Sequence, residues 1–194
     1  MKFRLAIAAA LLVASSAHAG IINFKASLSG PNEAPPNASP AVGLTDISYD
    51  SATHLLSIHI IFADLIGTTT AAHIHCCTAV AGAGNVGVAT EVPSFDFVAL
   101  GVHSGDFFGI EDLSSAADFN PAFLAAHGGT PAGAEAFLIA GMLSGKSYLN
   151  VHSSFRPGGE IRGFLAIPEP TPYALAMLAL GGLAFTRRSG ARRQ

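Results

Sequence analysis

Positive charge is what this chain has least of. Only 10 of its 194 residues are Lys or Arg, and Lys2, Arg4, Arg187, Arg188, Arg192 and Arg193 lie at its two ends. Between Gly20 and Ile167 only Lys25, Lys146, Arg156 and Arg162 stand against twelve acidic residues, a formal charge of −8. Such a stretch has no electrostatic footprint for a phosphate backbone, which excludes nucleic acid as a partner. Cysteine is nearly absent. Cys76 and Cys77 are the only two, and sequence neighbours cannot close the long loops whose restriction stabilises most disulfide proteins. Catalytic signatures are missing too. No Gly-x-Ser-x-Gly elbow occurs, and Ser153 follows His152 directly, so on a strand the two point to opposite faces and cannot act as nucleophile and base. The glycine-rich Ala79–Gly87 lacks the lysine of a phosphate loop and leads into no helical pattern, so it reads as a connection. No enzymatic activity is expected.

Both ends read as addresses rather than fold. Lys2 and Arg4 precede the apolar run Leu5–Val13, and Ala17-His18-Ala19 offers a small-x-small cleavage site before Gly20. Residues 1–19 are therefore expected to be a secretory signal peptide. At the other end Pro168-Glu169-Pro170 is followed by the uncharged Tyr173–Thr186 and the basic tail 187–194. As a helix, residues 173–186 would rise about 21 Å against a hydrocarbon core of about 30 Å, with the arginines on the cytoplasmic side. Pro168, Glu169 and Pro170, then an apolar helix, then a cluster opened by Arg187 and Arg188, resemble the PEP-CTERM sorting signal of Gram-negative bacteria. That resemblance implies export, retention at the inner membrane with the domain in the periplasm or at the outer surface, and processing by exosortase-type machinery.

Residues 20–167 remain, a size typical of one domain. Ile22–Leu28, Ala41–Tyr49 and His54–Phe62 alternate apolar and polar side chains as strands do. Ala71–Cys76, Val92–Leu100 and Gly105–Leu113 read as further strands. Asn120-Pro121 and Thr130-Pro131 each pair a capping residue with proline at a first helical position, and glycines close both segments. Tyr148–Ser153 and Glu160–Phe164, joined through Arg156-Pro157-Gly158-Gly159, form a hairpin pattern. Short strands with one helical insertion predict a mainly β fold, an antiparallel β-sandwich, flanked by the signal helix and the C-terminal hydrophobic helix.

Ala72-His73-Ile74-His75, Ser104–Leu113, Tyr148–Ser153 and Pro157–Gly163 together resemble the CHRD domain, a module named from the extracellular protein chordin. The likeness runs from about Ile22 to Leu165. It implies a secreted, immunoglobulin-like β-sandwich and no enzymatic activity. Chordin's growth-factor ligands do not carry over to a chain bearing a bacterial sorting signal.

His73 and His75 share a strand face with Cα atoms about 7 Å apart, and His152 faces away from Leu149 and Val151. If their strands pair, the three can hold one copper or zinc ion. The alternative is that they are hydrogen-bonded polar residues on a face covered by the helical segment. Cys76 and Cys77 can form a vicinal disulfide, serve as soft ligands beside His75, or remain an inert pair. Glu160 and Arg162 share a face and are expected to pair as ions that orient the hairpin. His54, His59, His103 and His127 read as solvated or capping residues. The expected function is a non-catalytic extracytoplasmic binding or structural module, with exopolysaccharide or another surface protein as partner and no required cofactor. A metal-binding, redox-active β-protein is the alternative.

Overall fold

A computed structural model describes residues 20–169 of the chain. The signal peptide, Pro170, the apolar run and the arginine cluster with Arg187 and Arg188 lie outside the described residues. Pro168 and Glu169 lie within them and are exposed. Among the described residues no helix is long and apolar enough to cross a membrane.

Alternating side chains explain the strands. In β3 (Leu55–Ala63) Leu56, Ile58, Ile60 and Phe62 are buried while Ser57 and His59 are only partly so. This alternation is the signature of a strand with one face in a core. β1 (Ile21–Ser29), β2 (Val42–Asp50), β4 (Thr69–His75), β5 (Gly105–Asp112), β6 (Tyr148–Ser153) and β7 (Ile161–Phe164) complete the set. All pairings are antiparallel, in the order β4-β6-β7-β1-β2-β3-β5.

The strands form one hydrogen-bonded seven-stranded sheet rather than two separate ones. It curls so that Phe24, Ile47 and Ile58 share a single apolar cluster with Ile74, Leu149 and Ile161. The join between its halves is narrow. One ladder pair, Ser29 with Arg162, is supplemented by a bridge in which Lys25 and Ala166 exchange hydrogen bonds of 2.9 and 3.1 Å.

The expected strand Val92–Leu100 does not form. Pro93 has no donor for a ladder, and the segment instead runs irregularly along the free edge of β4. Ala89 N donates to Ile74 O at 2.9 Å, Phe95 N to Ala72 O at 3.0 Å, and Gly101 N to Thr69 O at 2.8 Å. The apolar pattern that suggested a strand is accounted for by Phe95 and Val98, both buried in the core.

The helical insertion follows its capping signals. Ala122 N donates to Asn120 Oδ1 at 2.9 Å at the start of α1 (Pro121–Ala126). Gly133 N donates to Thr130 Oγ1 at 3.2 Å at the start of α2 (Pro131–Leu143). Ala134, Leu138 and Met142 of α2 are buried in the core. The sulfurs of Cys76 and Cys77 lie side by side and pack against Gly141 of α2. A Cβ at Gly141 would collide with both Cys77 Sγ and Cys76 Sγ.

Gly141→Ala therefore tests the packing. Helix propensity alone favours alanine by about 0.5–1 kcal/mol, whereas overpacking costs about 1–3 kcal/mol. The expected outcome in urea unfolding is net destabilisation, relieved when Cys76 and Cys77 are also replaced by alanine.

Candidate metal centre

The pairing of β4 with β6 sets His73 opposite Asn150, His75 opposite Tyr148, and Ala71 opposite His152. Alternation then places all three histidines on one face. The ring centroids of His73 and His152 are 4.6 Å apart, those of His73 and His75 5.0 Å, and those of His75 and His152 5.7 Å. One ring nitrogen from each lies within 4.8 Å of the other two. All three residues are buried, with exposures of 5, 8 and 8 % for His73, His75 and His152.

The protons can be placed by chemistry. Nδ1 of His75 lies 2.8 Å from the carbonyl of Val86, and Nδ1 of His152 lies 2.9 Å from that of Pro157. A carbonyl only accepts, so both Nδ1 atoms donate and both Nε2 atoms keep a free lone pair. Those Nε2 atoms are buried without a hydrogen-bond partner, and so is Nδ1 of His73. Burial lowers His73 to about 3, helped by repulsion from His152 and His75. Burial likewise lowers His75 to about 4 and is the main cause of the lowering at His152. At neutral pH the cluster is three uncharged imidazoles with converging nitrogens, the form that ligates metal.

The cover over this face is made of loops, not of the helical segment. Tyr148 stacks on His75 with centroids 4.7 Å apart, and its hydroxyl hydrogen-bonds with the backbone of Val86. The Arg162 guanidinium lies 4.6 Å from the Tyr148 ring centre. Arg162 Nε donates to Asn32 O at 2.6 Å, and Nη1 donates to Gly84 O at 3.0 Å and to Asn85 Oδ1 at 2.7 Å.

The expected Glu160–Arg162 ion pair is replaced by two separate networks. Arg162 has Glu33 as its nearest carboxylate, at 3.7 Å. Burial pushes Glu33 up to about 7 despite the guanidinium. Glu160, fully buried, accepts from Ser39 Oγ at 2.6 Å, Ile66 N at 2.7 Å, Gly67 N at 3.3 Å and Ser153 Oγ. Burial works to raise the Glu160 carboxyl, but these donors outweigh it and hold it below the ordinary carboxylate range. The hairpin is oriented by backbone and hydroxyl groups and by Glu33 rather than by pairing of Glu160 with Arg162.

Cys76 and Cys77 face α2 and are not among the clustered ligand groups. Of the other described histidines, His54 and His103 are exposed and His127 caps the C-terminus of α1, as expected, and each also has a partner. His54 meets Glu135 at 2.8 Å, His59 meets Asp106 at 2.6 Å, His103 meets the Leu65 carbonyl at 2.9 Å, and His127 stacks on Phe137. Glu33, Asn85 and Val86 escaped the sequence reading because they sit in proline- and glycine-rich loops with no periodicity. Their only signal was a polar residue embedded in each such loop.

A family model of the CHRD domain matches residues 24–165, from within β1 through β7 and including both helices. No curated protein and no solved structure matches the chain.

Two predictions follow from the burial of these groups. Because the folded values of the imidazoles are depressed, the unfolded chain takes up protons first as pH falls below 6.5. Their contribution is intact above 6.5 and is lost toward pH 4, at about 1.4 kcal/mol per pH unit per imidazole. Glu33, raised by burial, acts in the opposite sense over part of this window. The gap in unfolding free energy between the wild type and His73→Gln/His152→Gln, measured in urea from pH 7 to 4.5, isolates the imidazole effect and should shift against the wild type. Glu160→Ala strands four donors, three of them buried, and should cost about 3–5 kcal/mol by the same measurement.

Proposed function

The chain belongs to the CHRD domain family, and on that premise we propose an exported, membrane-tethered or surface-sorted module that captures a copper or zinc ion through His73, His75 and His152. The observation that carries the proposal is a cluster of three buried imidazoles, each with an unpartnered ring nitrogen and with one ring nitrogen from each within 4.8 Å of the other two. A buried polar atom left without a partner costs about 1–3 kcal/mol, and a shared cation would relieve all three at once. Imidazole donors suit zinc and copper. The carbonyls of Val86 and Pro157 fix the donor tautomer, as outer-shell groups do in metal sites.

The module is proposed to be non-catalytic. The ion would stabilise the loop-covered face or be held for transfer, and redox activity would follow only from the copper form. The immunoglobulin-like sandwich is the finer reading of the curled sheet, its two halves facing each other across the shared core. Export rests on the signal-peptide layout of residues 1–19. Tethering rests on Pro168-Glu169-Pro170 with the apolar run and arginines beyond, and exosortase-type machinery is the partner this layout supports. Exopolysaccharide or a neighbouring surface protein fits a display role.

Metal analysis by mass spectrometry on the purified full chain, with Zn²⁺ and Cu²⁺ titrations of the stripped protein, tests the reading. One ion per chain is expected. His73→Ala/His75→Ala should weaken binding by more than the roughly 10–100-fold typical of an outer-shell loss. A chain that takes up neither ion, with the double variant merely less stable, would leave the histidines as architecture.

A further inference from the structure

A second group of ligand atoms lies where the segment after β4 meets β5. Glu91 and Asp96 belong to the irregular segment along the β4 edge, and Glu111 is the penultimate residue of β5. One carboxylate oxygen from each lies within 4.8 Å of the other two. Glu111 is only 2 % exposed, and its buried Oε2 has no hydrogen-bond partner. Among the described residues no salt bridge reaches Glu91, Asp96 or Glu111. Lys25 and Arg162 are committed to Asp46 and Glu33, and Arg156 lies over the Phe155 ring.

Three converging carboxylates, one of them enclosed and unpartnered, are an unfavourable arrangement without a compensating charge. Asp118, from the single turn Ala116–Asp118 after β5, adds a fourth negative charge to the same neighbourhood. From this geometry we infer that Glu91, Asp96 and Glu111 form a binding site for calcium. The donors are all oxygen, which selects a hard cation over copper or zinc. Two of them come from irregular backbone, which suits the variable coordination of Ca²⁺ better than the near-ideal octahedron that Mg²⁺ demands. Asp96 is exposed and Glu91 half-buried, leaving a route by which an ion reaches the enclosed Glu111. Burial and the neighbouring Glu91, Asp118 and Asp96 raise the Glu111 carboxyl well above its ordinary range, the strain a cation would remove.

An ion held there ties the segment covering the β4 edge to β5 at the opposite edge of the sheet. The site is independent of the histidines in both donor chemistry and position, so the two fail separately.

The test is thermal unfolding of the full chain, stripped with chelator and titrated with CaCl₂. A saturable rise in Tm is expected with a midpoint of about 0.1–1 mM, the range of extracellular calcium modules, and a smaller rise with MgCl₂. Glu111→Gln, which removes the buried carboxylate ligand while keeping its size, should abolish the calcium response. Asp96→Asn, at an exposed position, should keep the fold and weaken the midpoint about tenfold or more. His73→Ala/His75→Ala should leave the midpoint unchanged. The inference is overturned by the absence of a saturable response up to about 10 mM, by an unchanged midpoint in Asp96→Asn, or by equal shifts from calcium, magnesium and sodium at matched ionic strength. The last result would mark general screening of like charges.

Discussion

A single buried guanidinium underlies the site. Arg162 is 2 % exposed, and a charge in that position must be met by fixed dipoles or counter-charges. Carbonyls from two loops, at Asn32 and Gly84, meet it. In doing so they are pinned over the sheet, two residues before the Val86 carbonyl that holds the proton on His75. The order of cause runs from one side chain on β7, through a loop with no regular structure, to the lone pair of an imidazole on β4. Glu160 plays the complementary part for the segments around Ser39, Ile66 and Gly67. The two charges of the hairpin are thus each spent on backbone rather than on each other, and between them they fold the loops that close the polar face.

That polar face is unusual for a strand in a core. All six residues of β6 are buried, yet Tyr148, Asn150 and His152 alternate with Leu149 and Val151. One side therefore belongs to the apolar core and the other to a second, polar interior roofed by loops. In such an interior each polar group needs a partner, and most have one. The exceptions gather at the histidines, with Asn150 Oδ1 and Glu33 Oε1 beside the same networks. Elsewhere among the described residues Glu111 Oε2 and Ser147 Oγ are the comparable exceptions. Two of the places where hydrogen bonding is incomplete are also the two where ligand atoms converge, one with neutral nitrogens on strands and the other with carboxyl oxygens from β5 and the irregular segment.

What could be read from the sequence was what local rules determine. Alternation in Leu56, Ile58, Ile60 and Phe62 specified a strand and its buried face. Asn120-Pro121 and Thr130-Pro131 specified helix starts. Parity put His73 and His75 together, and the distant His152 joined them because β4 pairs with β6. Where tertiary context decides, the reading failed. Val92–Leu100 has strand composition, but Pro93 and the contour of the β4 edge turn it into an irregular cover. Glu160 and Arg162 have the spacing of an ion pair, but loops distant in sequence supply better partners than either gives the other. The same is true of Glu91, Asp96 and Glu111, whose convergence depends on how that irregular cover lies, which no periodicity encodes. That the antiparallel strands expected from alternation join into one continuous curled sheet is a matter of the bridge between β1 and β7, which no local pattern encodes.

That bridge has a consequence for how the domain comes apart. With one ladder pair and one bridge at the junction, the unit β1-β2-β3-β5 and the unit β4-β6-β7 share side-chain packing but little ladder hydrogen bonding. Amides on the two sides can then exchange with solvent at separate rates, as in proteins built of distinct foldons. All three histidines belong to the smaller unit. Opening at the junction would loosen the roof over them without unravelling the larger half, and an ion could enter or leave a site that is closed in the resting fold.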